Sequence, residues 1–394
     1  MIDISRNKLI KPILVDNQKK TMLELHWEWF QNRMKKKKKY SLHISSKKTK
    51  EYSVEDILLT HLQYSETELR DIITANPEQI ELKADPNGSF YKDYEKKYLQ
   101  LYTEIKKSIK SPNVKIHSET LKMILYAFGY DDFENGTSFG VKEWSAYFFF
   151  EKMNVKVCPY CNRQYIFTIF SKNQKKGRPE LDHFFPKDIY PYLSCSIFNF
   201  IPSCHYCNHQ KSDKINTHII KGKPLKQNNY PNFLFLGNST QILILSPYMG
   251  IFEKNVSFQM KMENNNVNFF DYGNIKVSIN IEKNIPSDIN AKISNSIEAF
   301  HLVENYNQHQ IELKDLLKRY RNYARPKIRD ILKIINKSNT TVLKKFLMAY
   351  CKIFRNQILG LPLGIGNSEY PLRKFKSDII TQLDDFYNKT IKVK

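Results

Sequence analysis

Cys158-Pro159-Tyr160-Cys161 (CPYC), then Leu181–Pro191 (LDHFFPKDIYP), then Asn199–Lys211 (NFIPSCHYCNHQK) are the three pieces of sequence on which the reading of this chain turns. Cys158/Cys161 and Cys204/Cys207 form two CxxC pairs, each presenting two sulfurs one tight turn apart. Two such knuckles brought together complete a four-thiolate zinc site of the structural kind, which leaves no coordination position open for chemistry. Disulfides or free buried thiols are the competing readings. The sequence opens without a signal-peptide pattern, however, and four of six cysteines falling into two CxxC pairs speaks for metal. Cys195 and Cys351 have no such partner in the pattern and read as ordinary buried residues.

Between the knuckles lies Asp182-His183, in a segment Leu181 to Phe185 that stops at Pro186 and therefore reads as a short strand. Neighbours on a strand face opposite sides, so a carboxylate can ligate a hard divalent cation while the imidazole stays off the metal and accepts a proton from water. Asn199 and Asn208 follow, and an asparagine carbonyl can orient a ring nitrogen or bind magnesium without adding charge. Alone, an Asp-His pair is a surface or capping feature and an asparagine a turn residue. Their conjunction inside two knuckles reverses that balance.

The order CxxC, Asp-His, Asn, CxxCNxxK resembles the cysteine-bearing HNH endonucleases, and its wording is similar to the HNH effector nucleases of anti-phage defence systems such as Septu and certain retrons. The resemblance rests on Cys158 to about Lys214. Weaker similarity touches SRNKLIKPILVD near the start, ILILSPY at 242–248 and NSIEAFHLVENYNQHQIEL at 295–313. It implies an α+β fold with a ββα-metal core (the HNH or His-Me finger) set among helical regions. His183 would be the general base, Asp182 and Asn208 the ligands of a catalytic Mg²⁺ or Mn²⁺, and Asn199 the residue that orients the base or braces the hairpin turn. Cys158, Cys161, Cys204 and Cys207 would hold structural zinc. His209 follows Asn208 directly and competes for the last ligand position; Ser212 and Asp213 are further places for a ligand, with a helix-surface role as the alternative. Phosphodiester hydrolysis needs deprotonated water and a neutralised leaving oxygen, to which Lys187 and Lys211 could add positive charge near the phosphate. The resemblance also implies DNA as substrate and an ATPase partner subunit. A zinc-stapled nucleic-acid-binding protein without catalysis, and an HNH nuclease acting on RNA, are the competing functions.

Charge agrees with a polyanionic substrate. The 394-residue chain has a net charge of +22, and residues 1–50 carry fourteen Lys/Arg against four Asp/Glu. Lys35 to Lys39 is either a phosphate-tracking arm or a solvated helix end. Hydrophobic residues at 41%, with 25 Phe and 24 Tyr, suffice for real cores, while no apolar run approaches the ~20 residues of a membrane span. A cytoplasmic protein is expected.

Three regions are expected: a basic, mainly helical part (1–150), the zinc-knuckle core with a following β-rich segment (151–285), and a helical end (286–394). Helix starts are marked by Ser53/Asp56 and Ser65/Glu68, with a break at Asn76-Pro77 and further helices over 91–109 and 118–128. Trp27 and Trp29 read as packing residues, with base stacking as the alternative. Alternating runs at 233–235, 242–245, 256–262, 267–270 and 275–281 predict a small antiparallel sheet. Helices are expected over 288–303, 306–336, 340–359 and 372–388, with Leu313, Leu316, Leu317 and Tyr320 in a core. No P-loop or internal repeat is present.

Overall fold

The computed structural model describes residues 1–15, 18–36, 38–45, 48–109, 115–141, 144–171, 174–212, 218–219, 241–242, 244–262, 275–324, 341–362 and 364–392, with isolated positions between 330 and 337. The architecture is α+β: helices predominate, and the strands form small antiparallel pairs.

Local chemistry accounts for the N-terminal helices. Thr21, Ser65 and Asn76 each cap a helix and close a reciprocal box with Glu24, Glu68 and Gln79, starting helices Met22–Lys35, Glu66–Ile73 and Pro77–Ala84. The Ser53 hydroxyl likewise accepts the Asp56 N–H at 3.0 Å. The helix expected at 91–109 spans Ser89–Ser108 and buries Tyr91, Tyr94, Tyr98, Leu101 and Ile105 along one face; Ile116–Phe128 packs beside it and ends on Gly129 at φ 83°. A Cβ at Gly129 would come within 2.4 Å of the Arg33 guanidinium, so that close approach requires glycine.

The N-terminal part is less purely helical than its periodicity predicts. The basic run leaves helix Met22–Lys35 at Lys36 and enters a hairpin, Lys39–Ser45 paired with Lys48–Ser53. Lys38 pairs with Asp132 and Lys39 with Glu51, so acids on neighbouring elements compensate part of the run. Trp29 is fully buried, donating its indole N–H to the Thr137 carbonyl, and Trp27 is buried as well; neither ring is open to a base.

One apolar core gathers these helices around the segment after Val155. Phe200 stacks on Phe133 at 5.2 Å and meets Phe149 edge-on, which fixes the central strand against the N-terminal helices. The first residues join the same core: the Ile2 N–H donates to the Pro159 carbonyl, Ile4 to Pro247, and the Arg6 guanidinium to the Tyr248 carbonyl.

The second core is C-terminal. Val256–Met262 pairs over its full length with Ile275–Ile281, and helix Arg373–Lys392 covers the outer strand, where Asp378 and Gln382 accept the Phe258 and Met260 N–H groups. Leu313, Leu316, Leu317 and Tyr320 are buried here with Phe375, Ile379 and Leu383. The expected helix 288–303 divides into Ser287–Ala299 and Leu302–Asn307, because His301 adopts φ 43°, and the next runs Gln310–Arg319. Helices Thr341–Ile358 and Arg373–Lys392 match the last two expected. Of the wider sheet expected after the knuckles, the described residues hold the 256–281 hairpin and the short pair 218–219/241–242; the runs at 233–235 and 267–270 lie outside them. No described helix is long and apolar enough to cross a membrane.

Candidate active site

Strand Glu180–His183 pairs antiparallel with Phe200–Ser203, and helix His205–Ser212 follows directly, so the hairpin lies between the two CxxC pairs and the second pair sits at the start of the helix. The Sγ atoms of Cys158, Cys161, Cys204 and Cys207 all lie within 4.8 Å of one another and all four residues are buried. Four sulfurs about 2.3 Å from a common zinc stand about 3.8 Å apart, a spacing compatible with this cluster. The Cys207 N–H points at Cys204 Sγ at 3.5 Å, and the Arg163 backbone N–H bonds Cys161, an arrangement that favours thiolate ligands. The cluster could thus hold zinc, tying the segment before the hairpin to the helix after it. Cys195 is buried apart from it beside His26, while the side chain of Cys351 lies outside the described residues.

Asp182 and His183 point to opposite sides of their strand, as alternation requires. The His183 Nε2–H donates to the Ser194 carbonyl at 2.8 Å, which places the ring's lone pair on Nδ1. Among the described residues Nδ1 has no hydrogen-bond partner. Tyr130 lies edge-on to the imidazole at 4.5 Å and Phe200 at 5.6 Å. Burial pushes the imidazole pKa down to about 3, with the Ser194 carbonyl opposing and Lys187 and Lys211 adding to the shift, so the ring is neutral at physiological pH.

Asp182 sits in a different environment. Its Oδ1 accepts from the Lys211 ammonium at 3.0 Å and its Oδ2 from the Tyr160 hydroxyl, while Lys211 also donates to the His183 carbonyl. Lys211, expected to face a phosphate, is only 2% exposed; its charge is directed at the aspartate instead of the surface. The distinction is set by helix geometry: Cys207 and Lys211, one turn apart, share the inward face of His205–Ser212. Lys187 is half-buried with its ammonium 4.2 Å above the Tyr130 ring, on the imidazole side.

Asn199 does not bond the imidazole. Its Oδ1 accepts the Phe185 N–H at 2.7 Å, and its Nδ2 donates to the carbonyls of Phe185 and Leu193, at 3.0 and 2.9 Å. It thereby closes the loop 185–193 and holds the peptide next to Ser194, whose carbonyl orients the His183 imidazole. Asn208 is half-buried, and its side-chain amide has no partner among the described residues. His209 is exposed, its ring tilted against that of His205 with centroids 4.1 Å apart, so of the two it is Asn208 that lies nearer the inward face. Asp213 and the Ser212 side chain lie outside the described residues.

Asp182 and Asn208 supply oxygen donors suited to a hard cation, and the Asp182 carboxylate retains lone pairs beyond the two hydrogen bonds it accepts. The Lys211 ammonium competes with such a cation for the same carboxylate. Sequence reasoning missed three groups here. Tyr160 lies inside the CPYC knuckle, where its position was a usable signal; Tyr130 is distant in sequence, and Ser194 contributes only its backbone carbonyl, for which no residue type is a signal.

No protein-family model matches the chain, and no solved structure matches it. The chain is similar to the Septu protein PtuB of Bacillus thuringiensis, with 29% identity over 170 residues that cover 37% of this chain and 62% of that protein. The chain thus spans under two thirds of the length of the curated relative it matches, and what the two have in common is a partial, distant likeness to a Septu protein.

Proposed function

We propose that this chain is a metal-dependent HNH endonuclease that hydrolyses DNA phosphodiester bonds as an effector of anti-phage defence, working with an ATPase partner. The observation that carries the reading is the His183 imidazole: neutral, pinned through Nε2 to the Ser194 carbonyl, with Nδ1 free of hydrogen bonds among the described residues, on a hairpin whose following helix carries part of the four-cysteine cluster. That ring is prepared to take a proton from water. An imidazole held so low is a weak acceptor by itself, and the negative charge of an arriving phosphodiester raises its basicity.

A Mg²⁺ or Mn²⁺ held by Asp182 and Asn208 would supply charge neutralisation at the phosphate and the leaving oxygen. The other parts belong to the chain. Asn199 fixes the loop that carries Ser194, Ser194 fixes the imidazole, Tyr160 fixes Asp182 from the knuckle, and Lys187 lends positive charge from the Tyr130 side. The likeness to a Septu protein supports the defence role and, through it, a partner subunit.

One observation favours a second reading, a zinc-stapled nucleic-acid-binding protein without catalysis: the Asp182 carboxylate is already neutralised by Lys211. Incubating the zinc-loaded chain and its partner with plasmid and Mg²⁺ or Mn²⁺ separates the two. Cleavage that is lost in His183→Ala with an unchanged melting curve supports the endonuclease; cleavage undiminished in His183→Ala refutes the assigned base, and no cleavage with either metal favours the binding protein.

A further inference from the structure

Large apolar side chains exposed singly are ordinary, but contiguous ones call for an occupant. Tyr165, Phe167, Ile169 and Phe170 are 49%, 49%, 51% and 43% exposed, all within six consecutive residues. The cause is an extended backbone between the first knuckle and the hairpin Ile169–Ser171/Gln174–Gly177. Alternation turns Ile166 inward at 5% exposure and Tyr165, Phe167 and Ile169 outward. The Tyr165 and Phe167 rings stack on each other at 4.9 Å with 22° between planes, and Phe170 rests edge-on against Tyr147. Both residues of the stacked pair remain about half exposed.

Charge identifies what these faces suit. Residues 162–179 include Arg163, Lys172, Lys175, Lys176 and Arg178 and not one acid. Arg178 is paired with Glu134, Arg163 bonds His309, and Lys176 is an exposed residue of the hairpin. Aromatic faces beside a basic hairpin are the equipment for stacking unpaired bases while lysines meet the phosphates, and base faces are reachable only where the bases are not paired. Gly177 stands six residues before His183, so at most about 20 Å of chain separates the hairpin from the proposed base.

We propose that Tyr165, Phe167 and Phe170, with Lys176, form a stacking platform for unpaired nucleotides, which directs single-stranded or locally opened nucleic acid to the His183 site. This inference rests on the endonuclease reading. Binding is measured in the full-length His183→Ala chain, by fluorescence anisotropy of a labelled 30-nucleotide single strand and of the same sequence as a duplex. The single strand should bind more tightly. Tyr165→Ala/Phe167→Ala should weaken it by about fivefold or more per ring with an unchanged salt slope, while duplex binding stays within about twofold. Phe167→Trp should keep the single-strand affinity, and Lys176→Ala should lower the salt slope by about 1. Both aromatic side chains are exposed, so melting curves should not move.

If the double variant binds both nucleic acids as the parent does, the platform is refuted and the endonuclease reading stands. If, in addition, it loses a co-expressed protein partner, the surface is a protein dock. Failure of the parent to bind either nucleic acid overturns the endonuclease reading itself.

Discussion

Replacing Lys211 with methionine keeps the side-chain volume and strands the Asp182 carboxylate. The two side chains are only 2% and 6% exposed and their charged atoms are 3.0 Å apart. At an effective dielectric constant of about 20 their attraction is about 5 kcal/mol, most of which the desolvation of both groups offsets. The pair therefore contributes little net stability, but losing one member leaves a buried charge held by the Tyr160 hydroxyl alone. That asymmetry predicts a loss of about 3–5 kcal/mol in Lys211→Met. Urea unfolding of the zinc-loaded parent, Lys211→Met, Asp182→Asn and the double variant forms a cycle in which the double variant recovers most of the loss. Added Mg²⁺ should also stabilise Lys211→Met more than the parent, since the competing ammonium is gone from the carboxylate. A single variant within about 1 kcal/mol of the parent, or two losses that simply add, would show that the buried pair is not coupled and that the reasoning is wrong.

Cys204→Ser should release the zinc and abolish cooperative unfolding, because zinc binding adds directly to folding free energy; metal analysis of the folded parent should give one zinc per chain, and less than that in a well-folded sample contradicts the four-thiolate site. Asn199→Ala removes three hydrogen bonds that shape the 185–193 loop, and should cost about 2–4 kcal/mol in stability and, by displacing Ser194, on the order of tenfold or more in cleavage measured well below the melting temperature. His26 should make the fold acid-sensitive. Its Nε2 donates to the Cys195 carbonyl at 2.8 Å, its Nδ1 accepts from the Trp144 indole at 3.0 Å, and burial pushes its pKa from 6.5 to about 4. The unfolded chain therefore takes up a proton first as pH falls, so this contribution is complete above about 6.5 and lost progressively down to about 4, a total of about 3 kcal/mol. His26→Gln, compared with the parent by urea unfolding at pH 7.5 and pH 5, should lose that part of the pH dependence; an identical slope would exclude His26 as its source.

Much of the site was legible because its signals are local. CxxC spacing brings two sulfurs onto one turn whatever the rest of the chain does, and the strand carrying Asp182 and His183 follows from its β-favouring residues and the proline behind it. The helix starts at Ser65 and Asn76 are equally local, since a cap and its N3 partner lie three residues apart. The hairpin 39–53 was hidden by the lysine run, whose solvated character masks the alternation of Leu42 and Ile44.

What residue type and spacing determined by themselves, then, is the cysteine pairing and the strand with its Asp-His dipeptide, while the helix that follows was implied by the family resemblance. The tertiary structure decided the duties of the charged and polar groups. Lys211 reads as a cation near the phosphate until the inward face of its helix carries it onto Asp182, and Asn199 reads as a possible partner of the His183 imidazole until the loop closes around its amide. The Ser194 carbonyl has no signature in any side chain. Spacing along the chain governs which groups can share a turn or a face, whereas desolvation and the matching of donors to acceptors are settled only when remote segments meet.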